Sequence, residues 1–104
     1  MRIDKFMWAV RIFKTRSLAS KACTSDKVLL NSELIKPSKN IKVNDIISVK
    51  VIPIWKTYKV ENLPTSRLGP KLVGNYITET TSINDLDLLK KHEIKIRNNR
   101  TLGI

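Results

Sequence analysis

Arg11, Lys14, Arg16 and Ser17 fall within seven residues, Lys21 and Lys27 follow them, and Arg2 and Lys5 precede them. Guanidinium and ammonium groups at this density donate hydrogen bonds and carry fixed charge, and arginine does not give up its proton, so they suit a row of phosphates better than proton transfer. Lys36, Lys39 and Lys42 form a second cluster before the most β-branched stretch of the chain. Residues 1–59 hold thirteen basic and four acidic side chains, a net +9, whereas residues 60–104 hold seven and five, a net +2. Such an excess repels itself, and a polyanion that neutralises it is the expected partner.

Other chemistries lack their residues. There is no glycine-rich phosphate loop and no G-x-S-x-G elbow in the 104-residue sequence, which has three glycines in all. A single cysteine, Cys23, and a single histidine, His92, allow neither an internal disulfide nor a multi-Cys/His zinc cluster within one chain. Cys23 is read as a small buried apolar residue, and His92, near a helix C-terminus, as a solvated or dipole-complementing residue. The nearest acidic pair, Asp85 and Asp87, stands where a helix should begin and where negative charge favours the dipole, and Asp4 is read the same way. No catalytic residue, metal or cofactor is expected, nor a small-molecule substrate. The first residues carry charges and no long apolar run, and no stretch approaches the roughly 20 apolar residues that span a bilayer, so a cytoplasmic protein without a membrane partner is expected.

The basic residues need elements to display them. Ile3, Phe6, Met7 and Val10 repeat at i, i+3, i+4 and i+7, which predicts a helix over residues 4–12 with its cations beside the apolar stripe. Thr15 is a candidate N-cap for a second helix whose Leu18, Ala19, Ala22 and Cys23 form a stripe of smaller residues, so the two helices can approach closely. Residues 28–30 read as a strand closed by an Asn31-Ser32 turn, residues 34–35 as a second short strand stopped by Pro37, and residues 46–52 as the main strand after an Asn44-Asp45 turn. A further strand is expected at residues 58–60 and a loop over residues 63–74, which contain Pro64, Gly69, Pro70 and Gly74. Ser82 with Asp85 resembles a capping box and predicts a last helix to about His92, followed by a frayed basic tail over residues 95–100. The fold class is therefore α+β: two N-terminal helices on a small, mostly antiparallel sheet, residues 1–60, with a C-terminal extension of loop, short helix and tail, residues 61–104.

The order of these blocks matches a known pattern. R-I-D-K-F-M-W-A-V-R, K-T-R-S-L-A-S-K-A-C, V-L-L-N-S, I-K-P-S and V-N-D-I-I-S-V resemble the RNA-binding domain first seen in small-subunit ribosomal protein S-four, over about residues 2–51. Asp26, Ser32 and Asn44 stand where that pattern usually has glycine. Asp and Asn tolerate positive φ at positions 26 and 44, while Ser32 implies a shifted turn. The W-A-V-R-I-F-K-T-R-S wording and the later R-L-G-P-K-L-V segment are similar to the family of the heat-shock protein of fifteen kilodaltons and its ribosome-quality-control relatives.

The resemblance implies a non-enzymatic protein that binds structured RNA, specifically ribosomal RNA of the large subunit, with peptidyl-tRNA as a further candidate partner, in stress response or rescue of stalled nascent chains. It also implies an RNA surface on the helical face, formed by Arg2, Lys5, Arg11, Lys14, Arg16, Ser17, Lys21 and Lys27, with Lys36 and Lys39 added by the charge pattern. The basic tail is expected as a second RNA contact, and a monomer is expected. Two other readings remain: a DNA-binding helix-turn-helix protein, and an RNA-binding appendage serving an RNA-modifying enzyme, for which 104 residues leave no catalytic domain. Trp8 is open between packing on the C-terminal half and stacking on a base.

Overall fold

The computed structural model describes the backbone of residues 1–102 and the side chains of residues 1–93. The elements run α1 (Ile3–Ala9), α2 (Arg16–Thr24), β1 (Val28–Leu30), β2 (Glu33–Leu34), β3 (Ile46–Val51), β4 (Ile54–Val60), a 3₁₀ helix (Pro70–Asn75), β5 (Ile77–Glu79) and α3 (Ile83–Leu102). The strands form one sheet in the order β2-β1-β3-β4-β5, with every neighbouring pair antiparallel. The α+β class is as expected.

The stripe Ile3, Phe6, Met7 and Val10 is fully withdrawn from water and packs with Ala19, Ala22 and Cys23 of α2 over Val28, Leu30, Ile47 and Val49 of the sheet. Val28 stands opposite Val49 and Leu30 opposite Ile47, so the period-2 pattern of β1 and β3 puts all four on one face. Leu18 departs from the expected stripe: it is 48% exposed. Three small residues suffice to close α2 onto α1, and a fourth position of the stripe lies too far round the helix to reach the core.

Both N-terminal helices end by the same device, α2 at Thr24 as its polar Thr24-Ser25-Asp26 cluster implies and α1 earlier than expected. In α1, Arg11 takes φ 64°, its N–H reaches the Trp8 carbonyl at 3.1 Å and the Ile12 N–H reaches the Met7 carbonyl at 2.9 Å. In α2, Asp26 takes φ 59°, with Asp26 N–H on Cys23 O at 3.3 Å and Lys27 N–H on Ala22 O at 3.0 Å. These are paired 5→2 and 6→1 bonds of a Schellman ending, built without glycine. The helix expected to reach residue 12 accordingly ends at Ala9.

The Asn31-Ser32 turn is a two-residue hairpin, since Leu30 pairs with Glu33, and both turn residues have positive φ, 50° and 69°. That is the geometry of a type I′ turn, whose handedness suits strand twist, and Ser32 takes the left-handed conformation in place, so the expected shift of the turn does not occur. Asn31 also donates from Nδ2 to Asp45 Oδ1 at 3.1 Å and accepts the Ile46 N–H at 2.9 Å, while Asp45 Oδ2 accepts the Lys42 N–H at 2.9 Å. Buried Asp45 thus locks the loop at Asn44, whose φ is 77°.

The second half carries more regular structure than expected. β4 starts at Ile54 rather than at residue 58, because the β3 register continues without a break from Ile46–Lys59 to Val51–Ile54. Residues 63–74 are not loop throughout: Pro70 starts the 3₁₀ helix, and β5 then joins the sheet beside β4. Ser82 caps α3 by accepting the Asp85 N–H at 3.1 Å, and α3 lies against β4, with Leu89 buried. α3 is not short: it extends to Leu102, ten residues past the expected end, as no glycine or proline interrupts the sequence between Ser82 and Gly103, so His92 stands within the helix rather than at its C-terminus and residues 95–100, expected as a frayed tail, continue it. Among the described residues no helix is long and apolar enough to cross a membrane.

Ser32→Gly should stabilise the fold by about 0.5–1 kcal/mol, because glycine adopts φ 69° without the left-handed penalty of a Cβ. Urea unfolding measures it, and a loss of stability would refute the assigned turn geometry.

Candidate nucleic-acid interface

Asp4 sits in the first turn of α1 with its side chain only 4% exposed. The Lys5 N–H donates to its Oδ1 at 2.7 Å, and the Arg2 fork donates from Nε to Oδ1 at 3.2 Å and from Nη2 to Oδ2 at 3.0 Å. Arg16, at the start of α2, brings Nη2 to 3.7 Å from the same carboxylate. One buried anion therefore gathers two cations, one from the residue preceding α1 and one from the start of α2, and each arginine keeps nearly half its side chain in solvent, 48% and 46%. The pair carries a net positive charge outward.

Beside this cluster a groove of about 420 Å³ is lined by Asp4, Arg16, Ser17, Ser20, Lys21 and Thr24. Arg16, Ser20 and Thr24 are spaced by four residues and so share one side of α2. Thr15 caps the helix, accepting the Leu18 N–H at 3.1 Å, which leaves neighbouring first-turn N–H groups available to an anion. Residues 36–41 are stitched onto this end of α1: Ile3 N–H donates to Lys39 O at 2.8 Å, Ile41 N–H to Met1 O at 3.0 Å, and Arg2 pairs with Asn40. That backbone pairing sets exposed Lys36 and Lys39 next to Arg2.

The other basic residues are placed differently. Lys5 is half-buried along α1, and Lys14 is exposed on the turn between the helices. Lys27 lies on the opposite flank of α2, lining a second groove of about 420 Å³ with Phe13, Leu18, Lys21, Ala22 and Ser25. Arg11 is tied into the protein itself: its Nε donates to the Leu68 carbonyl at 2.7 Å. Lys95, Arg97 and Arg100, expected as a second RNA contact, have side chains outside the described residues.

Sequence reasoning missed Arg67. Its guanidinium lies 5.5 Å from the centre of the Trp8 ring, and it donates from Nε to Trp8 O at 3.3 Å and from Nη2 to Lys14 O at 3.5 Å. The Leu68 N–H adds a bond to Ala9 O at 3.0 Å. The Leu68 N–H thus satisfies the Ala9 carbonyl at the end of α1, Arg67 adds a second donor to the Trp8 carbonyl, and Trp8 packs against the C-terminal half. The R-L-G-P run was the available signal, but only the fold shows what it touches. Asp4 was read as a dipole residue; the R-x-D spacing that lets Arg2 fold back onto it was visible.

Cys23 lies under this surface, and burial, reinforced by the nearby Asp4 carboxylate, pushes its thiol up to about 11. Burial and neighbouring Glu79 likewise raise the Tyr58 phenol.

A family model described as the S4 domain matches residues 1–47. The RQC P-site tRNA stabilizing factor of Helicobacter pylori is 38% identical over 71 residues, covering 68% of this chain and 84% of that protein. A heat shock protein 15 homolog of Haemophilus influenzae is 31% identical over 105 residues, covering 100% of this chain and 77% of that protein. The trimeric structure of Vibrio cholerae heat shock protein 15 superposes with a TM-score of 0.76 at 27% identity, covering 91% of this chain and 94% of that one.

Asp4→Ala removes the acceptor shared by Arg2, Lys5 and Arg16, and should cost about 1–3 kcal/mol in chemical denaturation; an unchanged midpoint would deny Asp4 its organising role. Between pH 9 and 11 the native state holds the Cys23 proton that the unfolded chain releases, so this group makes stability fall as pH rises. Cys23→Ala should flatten that part of the pH–stability curve, and an unchanged slope would refute the assignment.

Proposed function

The chain belongs to the S4-domain family that includes heat shock protein 15 and the RQC P-site tRNA stabilizing factors, and from that premise we propose that it is a non-enzymatic RNA-binding protein of the cytoplasm acting on ribosomal RNA of the large subunit. The observation that carries this reading is the Asp4-held pair Arg2 and Arg16 beside a groove of hydroxyls and Lys21. A guanidinium held on one edge by a carboxylate keeps its remaining N–H donors free, aimed outward and already oriented, which reduces the ordering cost of gripping a phosphate. Ser17 and Ser20 add neutral donors, and Lys36 and Lys39 extend the charge past Arg2 toward a second stretch of backbone.

Such a surface reads shape. Charged groups and hydroxyls that meet phosphates fix orientation without reading base edges, which matches structured RNA, whose deep major groove excludes side chains. The names of the relatives, a P-site tRNA stabilizing factor and a heat shock protein, support a tRNA-holding ribosomal complex as the target; that it retains a nascent chain, with rescue or stress response as the setting, is part of the proposal. The monomer and the division into a binding domain, residues 1–60, and an extension, residues 61–104, belong to the same proposal.

If about 5 to 8 phosphates are neutralised, the log–log dependence of RNA affinity on salt should have a slope on the order of −4 to −7, by analogy with duplex DNA. Arg16→Ala should weaken hairpin binding while leaving the melting temperature nearly unchanged, because its contact to Asp4 is long and half-solvated; equal loss from Lys90→Ala would reduce the site to bulk charge. Sedimentation of tagged protein with purified subunits decides the target, and association with small subunits only, or with neither, refutes the large-subunit reading.

A further inference from the structure

From the second groove we infer that α2 is straddled, with phosphates held on its Asp4 side and one unstacked RNA base received on the other, between Phe13 and Leu18. This rests on the RNA-binding reading above and adds a base site to it. The groove has a volume of about 420 Å³, within the roughly 300–1,000 Å³ typical of small-ligand sites. Its floor is apolar, from Phe13, Leu18 and Ala22, and its lining includes Lys21 and Lys27 but no carboxylate.

Three features favour a nucleotide over an apolar peptide side chain. Phe13 packs in part against the core, so its ring is already positioned, and stacking on it costs little side-chain entropy. Leu18 is a large aliphatic residue 48% exposed on the most cationic part of the molecule, where nothing in the core requires it. Lys21 lines both grooves, so the cationic track on the Asp4 side of α2 continues without a gap into the apolar site. An extruded base presents an apolar face with a phosphate on either side of it, and an apolar floor edged by two ammonium groups complements that pattern. Trp8, the other aromatic near this surface, is already engaged by Arg67.

The test uses the full chain and two RNA hairpins identical except for one unpaired 5-iodouracil in the stem of one. The bulged hairpin should bind about tenfold more tightly, the scale of one base stacked on an aromatic ring, and irradiation should cross-link it at Phe13. Leu18→Ala and Phe13→Leu should each cut that preference to about twofold while affinity for the fully paired hairpin is kept, which also reports that the variants fold. Equal affinity of the unsubstituted protein for the two hairpins, a cross-link mapping elsewhere, or a preference surviving both substitutions overturns the base site and leaves the phosphate surface standing. Failure to bind either hairpin overturns both.

Discussion

A carboxylate taken out of water is costly unless its oxygens find donors, and Asp4 finds them from three directions: its neighbour's backbone, the Arg2 fork and Arg16 across the helix pair. Satisfying it constrains more than one contact. Arg2 must be extended for its side chain to fold back, and that extended backbone pairs with Asn40, which draws the 37–41 segment alongside. Arg16 must begin α2 close to the start of α1, which the small residues Ala19, Ala22 and Cys23 permit. Cations that would repel one another are thereby held on one end of the molecule by a charge that solvent barely reaches.

The two ends of α1 have opposite uses. At its N-terminus the chain collects positive charge and leaves it available. At its C-terminus, Arg67, Leu68 and Arg11 spend their hydrogen bonds on the protein: the first two donate to carbonyls of residues 8, 9 and 14, and Arg11 returns a bond to Leu68. Two arginines of similar exposure in a sequence reading therefore differ in role, with Arg16 held at 3.7 Å and Arg11 at 2.7 Å by a neutral carbonyl. The Arg16 contact is the longer of the two, and it runs to a charged rather than a neutral acceptor.

Glycine economy shapes the same region. With three glycines in the chain, the helix endings and turns at positions 11, 26, 31, 32 and 44 place non-glycine residues in the left-handed region. Asn and Asp hold three of these positions, as their short side chains tolerate that conformation. The cost is offset by local hydrogen bonds, above all the Asn31–Asp45 pair that ties two turns together.

The sequence by itself determined what depends on near neighbours. The buried stripe Ile3, Phe6, Met7 and Val10, the Thr15 and Ser82 caps, the strand beginning at Ile46, the Asn31-Ser32 turn and the basic N-terminal half all follow from spacing or residue type within one or two turns of chain. Only the tertiary structure decided which cations converge, that Trp8 is covered, that Leu18 faces solvent, and that β5 completes the sheet. Those outcomes rest on partners such as Arg67 and Leu68, 59 and 57 residues from Trp8 and Arg11. Local periodicity carries no information about such distant pairs, since they meet only when the sheet and both helices have packed.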